Sequence, residues 1–149
     1  MSAEYRQNIF DHKTLVGKYI QMVIAELAKR AVEHDFSKFG HEEFDAYASA
    51  LPRFQESEYG SEEYMACIES IKPAIEHHIT HNRHHPEYWG ELGVNGMSLI
   101  DLIEMVCDWI AASQRVPGGQ LRLDIQRERF DIGPSLFGVI ERTVEDLLG

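Results

Sequence analysis

Apolar residues recur at intervals of three and four along nearly the whole chain, and no run alternates with a period of two between turn signals. A chain patterned this way buries one stripe per helix against other helices, so the expected class is all-α, a single domain over residues 1–149 with five to seven helices. Leu15, Val16, Tyr19, Ile20, Val23, Ile24 and Leu27 mark a first helix that starts near His12. "HEEFDAYASALPRF" reads as a second helix that stops before Pro52, with "QESEYG" as a loop after it. Ser61 is an N-cap followed by Glu62 and Glu63, where carboxylates suit the helix dipole; the helix it opens runs towards residue 83 and is kinked at Pro73. Ser98 and Asp101 form the frame of a capping box for a helix that continues to about Arg115. "VPGG" is a turn, a short helix lies near 120–128, and Pro134 sits in the first turn of the last helix.

The formal net charge of −11 sets the long-range field. A domain this acidic is repelled by phosphate backbones, which argues against nucleic acid as a partner; a small anionic substrate would need a local cation, and a bound metal is the natural one. Cys67 and Cys107 stand apart in apolar helical patterns and read as two reduced core thiols. The N-terminus, "MSAEYRQNIFDHK", is polar from the start, and no run approaches eighteen apolar residues. The expectation is a cytoplasmic chain with no membrane contact, for which a homo-oligomer is compatible.

Five of the eight histidines fall between His77 and Trp89, in "HHITHNRHHPEYW". On a helical wheel with Ile75 at zero, His78 lies at about −60° and Asn82 at about −20°, continuing the stripe of Ile68 and Ile71, while His77 lies at about 200°. His78 and Asn82 therefore face inward and His77 outward. His84 and His85 are placed less firmly by the wheel, because Pro86 disfavours helix at the residue before it. On the helix from Leu99 to Arg115, Asp101, Glu104, Asp108 and Arg115 share one polar stripe beside a wide apolar arc. If that stripe is covered, its carboxylates need partners, and histidines with a cation would supply them. "EHDFSK" adds an adjacent His34-Asp35 pair with Lys38 three residues on.

The order His12, His34-Asp35, His78, Asp108 resembles the HD-domain superfamily of metal-dependent phosphohydrolases. "HDFSK" looks like that superfamily's His-Asp-x-Gly/Ser-Lys motif, "CDWIAA" like its late helix, and "HHITHNRHHPEYW" is similar to the double-histidine segment of the binuclear HD-GYP branch. More closely, "HK", "HDFSKF", "NRHHPEYW" and "MSLIDLIEMVCDW" resemble the bacterial and phage family called domain of unknown function 5662, over most of residues 12–115. The resemblance implies an HD-like helical bundle and one or two divalent ions (Mn, Fe, Mg, Co or Zn). His12, His34, Asp35 and Asp108 would form a first metal site, and His78 with His84 or His85 a second. Lys38, Arg83 or Arg115 would neutralise the phosphate of a small substrate, a nucleotide before others. His12 and His34 are 22 residues apart, about 33 Å along an unbroken helix, so this assignment needs a break near Ala28–Ala31. The Gly-Tyr-Pro part of the HD-GYP motif is replaced by "PEYWG", so that branch's cyclic-dinucleotide specificity does not carry over. Two other functions compete with hydrolysis: a binding protein with a degenerate, non-catalytic metal site, and a di-iron oxygenase of HD type.

Overall fold

The computed structural model describes residues 2–58, 60–115 and 119–149. Among them are seven α-helices, two 3-10 segments and no strand. Contacts divide the chain into two units, Met1–His34 and Asp35–Gly149.

The first unit is one helix, α1, Ala3–Glu33. Ser2 caps it by accepting from the Tyr5 N–H, and it runs without interruption. The break expected near Ala28–Ala31 is absent. Ala25 to Ala31 holds no glycine or proline, and strong helix formers there keep the hydrogen-bond ladder intact.

The second unit opens with a 3-10 turn, Phe36–Phe39, entered through Asp35 at φ 57° and ψ 19°. Asp tolerates this left-handed backbone better than most residues. Next comes α2, Phe44–Glu56, which passes through Pro52 instead of stopping before it. The proline leaves the Ala48 carbonyl without its ladder partner, but it lies exposed, where water can serve that group. The single kinked helix expected after Ser61 is two: α3, Glu62–Ser70, and α4, Lys72–His81, broken at Ile71. Pro73 sits in the first turn of α4, where its missing N–H costs nothing, so it starts a helix rather than bending one. Ala50, Cys67 and Ile71 form a small core among these helices, flanked by Tyr47, Phe54 and Ile75.

Pro86–Gly96 is a run of 3-10 turns in which Gly90 and Gly93 take positive φ. Then α5, Leu99–Gln114, begins with the full Ser98/Asp101 capping box. The turn expected at "VPGG" lies, for Val116 to Gly118, outside the described residues. Two helices close the unit: α6, Leu123–Arg129, and α7, Pro134–Leu148. Val94, Met105, Val106, Ile132 and Ile140 form the second core, with Trp109 and Phe130 stacked at 5.9 Å beside it. Cys67 is buried, but Cys107 is exposed, contrary to the expectation of two core thiols. Among the described residues no helix is long and apolar enough to cross a membrane.

Candidate metal centre

The end of α4 explains how three histidines come together. His78 lies on its buried face. The helix stops after His81, and Asn82 leaves it in an extended conformation. Pro86 forbids helix at His85, which is also extended, so His84 and His85 double back instead of continuing the spiral. The His78 and His85 rings meet edge to face at 4.9 Å, and those of His84 and His85 lie 4.3 Å apart. Into this cluster the left-handed turn delivers Asp35, whose Oδ1 is 3.1 Å from His78 Nε2 and 3.4 Å from His84 Nε2.

Asp35, His78, His84 and His85 each offer one donor atom, and all four donors lie within 4.8 Å of one another. Such a group could hold a metal ion. With bonds of about 2.0–2.2 Å, neighbouring ligand atoms stand about 2.9–3.5 Å apart on an octahedron or tetrahedron, which is the spacing of Asp35 Oδ1 from the two imidazoles. His85 Nε2 is buried and has no hydrogen-bond partner among the described residues, an arrangement that an ion would satisfy.

Two of the imidazoles are backed by carboxylates. Glu43, fully buried, places Oε2 3.0 Å from His78 Nδ1, and Glu104 places Oε1 3.3 Å from His84 Nδ1. With an ion bound, a carboxylate on one ring nitrogen would hold the proton there and leave the other nitrogen's lone pair for the metal, as in histidines that ligate metals. Lys38 donates to the second oxygen of Asp35 and lies 5.5 Å over the Tyr47 ring. Burial pushes Asp35 up, but hydrogen bonds from His78, His84 and Lys38 outweigh it and hold the carboxyl far below its ordinary range. Burial, Glu43 and Asp35 push the Tyr47 hydroxyl up to about 12.

The structure regroups the residues picked from the sequence. His78, His84 and His85 join Asp35 in one set rather than forming a second site of their own. His12 is exposed on α1, 22 residues of unbroken helix from His34, so the two do not converge. His34 caps the C-terminus of α1 and ends the first unit. Asp108 is half-buried and its charge acts on His85, but among the described residues it is not in the four-donor group. Glu104, one turn earlier on the same stripe, is the acid that engages a histidine. Arg83 is not turned towards the centre's donors: its guanidinium makes a two-pronged ion pair with Asp101 at 3.1 Å and lies 4.7 Å over the Trp89 ring. Arg115 is exposed at the C-cap of α5, two turns past Asp108. Glu43 was not picked at all. It sits in "HEEF", a run of two acids that looks like an ordinary solvated surface.

The model of a family of unknown function, DUF5662, matches residues 1–145. The chain belongs to the DUF5662 family. No curated protein and no solved structure matches it. The likeness to HD-domain enzymes therefore gains nothing from these comparisons. For this DUF5662 chain the donor set itself is the main guide to chemistry.

One consequence is testable without any metal. Burial, reinforced by the charges of His84 and His78, pushes the His85 imidazole down from 6.5 to about 3. The unfolded chain therefore takes up a proton on His85 below about pH 6.5 that the folded chain refuses, and stability falls with falling pH across that window. Asp35 acts only below its unfolded value of 3.8, so it leaves the upper part of the window to His85. Denaturant midpoints of the metal-free protein should drop between pH 6.5 and 4, and His85→Gln should flatten the slope. An unchanged slope in the variant would contradict this assignment.

Proposed function

We propose that this protein is a metal-dependent phosphohydrolase with one divalent ion held by Asp35 Oδ1 and by Nε2 of His78, His84 and His85. The observation that carries the reading is the convergence of these four donors with Glu43 and Glu104 behind two of them. Three imidazoles and one carboxylate favour Fe, Co or Zn over Mg, which prefers oxygen ligands. When bound, such an ion lowers the pKa of a water and polarises a phosphoryl oxygen. Lys38, anchored on Asp35, sets a cation beside the centre for a substrate phosphate. The likeness of "HDFSK" to the HD-domain motif supports the same reaction class, and a nucleotide is the first substrate to try.

The commitment of Arg83 to Asp101 favours a second reading. With that cation tied up, the centre has less to grip a phosphate, as suits a protein that binds a partner or ligand without turning it over. Elemental analysis of purified protein, followed by a hydrolysis screen over nucleotides and other small phosphate esters, decides between them. About one equivalent of metal with chelator-sensitive phosphate release supports the hydrolase. Metal without release of phosphate supports the binding protein. Coloured, iron-loaded protein with oxygen-dependent turnover would replace both with an oxygenase.

A further inference from the structure

No residue of α1 is buried, yet the helix carries an apolar stripe along most of its length. At 100° per residue, Ile9, Val16, Ile20, Val23 and Leu27 fall within an arc of about 60°. Ile9, Val16, Ile20, Val23 and Ile24 are 41–53% exposed, and Phe10 and Tyr19 are 60–66% exposed. Taking about 200 Å² for a whole large residue, these hold roughly 700 Å² at the surface, close to the ~800 Å² that each partner buries in a stable interface. Helices draw most of their stability from packing such a face, and β-branched Val and Ile favour helix only weakly by themselves.

Charge bears on what covers the stripe. Residues 1–34 carry five Lys and Arg against four Asp and Glu, whereas residues 35–149 carry nine against twenty-one. The acidic part repels its copies, so two chains meet most readily along the nearly neutral α1. The polar face of α1 mixes Asp11 and Glu33 with Lys18 and Lys29, and so lacks the cationic excess of helices that lie on anionic lipid.

Gly17 bears on the direction of pairing. A Cβ there would meet nothing within 4 Å beyond the helix's own backbone, so the single chain has no need of a glycine, which weakens a helix that alanine would support. Beside the stripe, every seventh residue forms a line, Phe10, Gly17, Ile24 and Ala31, that alternates large and small. Against a reversed copy this line interlocks, Phe10 on Ala31 and Ile24 on Gly17, while Val16 meets Leu27 and Ile20 meets Val23 in the seam. Lys13 then reaches the Glu26–Arg30 pair of the second copy, whose side chains lie 3.0 Å apart. A parallel copy would instead crowd Ile24 against Tyr19 and set Gly17 on His12. It would also start both acidic parts from the same end, because residues 35–149 follow the C-terminus of α1.

We propose that α1 is a dimerisation element, pairing antiparallel with α1 of a second copy so that Ile24 of each chain seats on Gly17 of the other. This stands apart from the metal centre and from any reaction there.

Sedimentation equilibrium of the full chain across the micromolar range should give twice the chain mass. Ile20→Glu puts a charge into the seam, belongs to neither core of residues 35–149, and should sediment as a monomer. Gly17→Leu is the sharper variant: leucine is the better helix former, but it fills the notch, so dimer affinity should fall at least about 10-fold. Val16→Cys and Leu27→Cys chains, each also carrying Cys107→Ser to remove the exposed thiol, should on mixing and oxidation form a disulfide between unlike chains. A Val16→Cys chain that instead cross-links to itself would mean a parallel pair and overturn the arrangement. A dimer undiminished in Ile20→Glu would place the contact elsewhere and overturn the role of α1. A natural protein that stays monomeric throughout, whether or not it binds vesicles of anionic lipid, overturns the proposal outright.

Discussion

Asp35→Asn should strip the metal, while Asp108→Asn should keep it. The two acids look alike in the sequence, each in a motif that resembles an HD-type ligand. Their surroundings differ. Asp35 Oδ1 lies 3.1 and 3.4 Å from two imidazole nitrogens, whereas Asp108 is outside the donor group. Asn is the right replacement at 35 because it accepts the left-handed backbone that the turn requires, so the variant keeps its fold while losing the only carboxylate in the set. Affinity for Co²⁺ or Zn²⁺ should fall by more than the 10–100-fold expected for an outer partner. Asp108→Asn removes a charge that acts on His85 and should cost less than that. Elemental analysis after dialysis against a weak chelator checks both. One full equivalent retained in Asp35→Asn would remove Asp35 from the centre and with it the proposed function; loss of metal in Asp108→Asn alone would move the ion towards α5.

The second large effect is on stability. Asp101→Ala should destabilise the protein by about 1–2 kcal/mol, because it removes half of the capping box and the acceptor of a two-pronged ion pair whose donors reach water. Read as the third residue of a capping box, Asp101 is an ordinary cap worth roughly 1 kcal/mol. In the fold it is fully buried and accepts from the Ser98 backbone N–H and hydroxyl and from both prongs of Arg83. Arg83 in turn lies over Trp89, whose indole N–H donates to the Arg83 carbonyl at 3.0 Å. The loss therefore reaches the turn that carries His84 and His85. Urea denaturation of metal-free Asp101→Ala gives the magnitude, and a change below about 1 kcal/mol would mean that the half-exposed pair contributes little beyond the cap. Ser98→Ala, which keeps the ion pair, separates the two contributions.

Much of this was legible in the chain. The helical class, the Ser98/Asp101 box, the cap at Ser61, the helix start at Pro134 and the inward face of His78 all follow from spacing and local chemistry. Each is decided within one or two turns of backbone, where a side chain's neighbours are fixed by the sequence itself. Pro52 and Pro73 show where that logic thins. One proline is tolerated inside a helix and the other starts one, because what a proline costs depends on whether the affected backbone groups reach water or a new partner. The metal set needed more. That Asp35 meets His78 and His84, and that Glu43 rather than Asp108 stands behind a histidine, are contacts across more than thirty residues of chain. No local spacing encodes them. They arise only when α2, α4 and α5 pack, because a buried carboxylate needs partners and packing is what brings the imidazoles within reach.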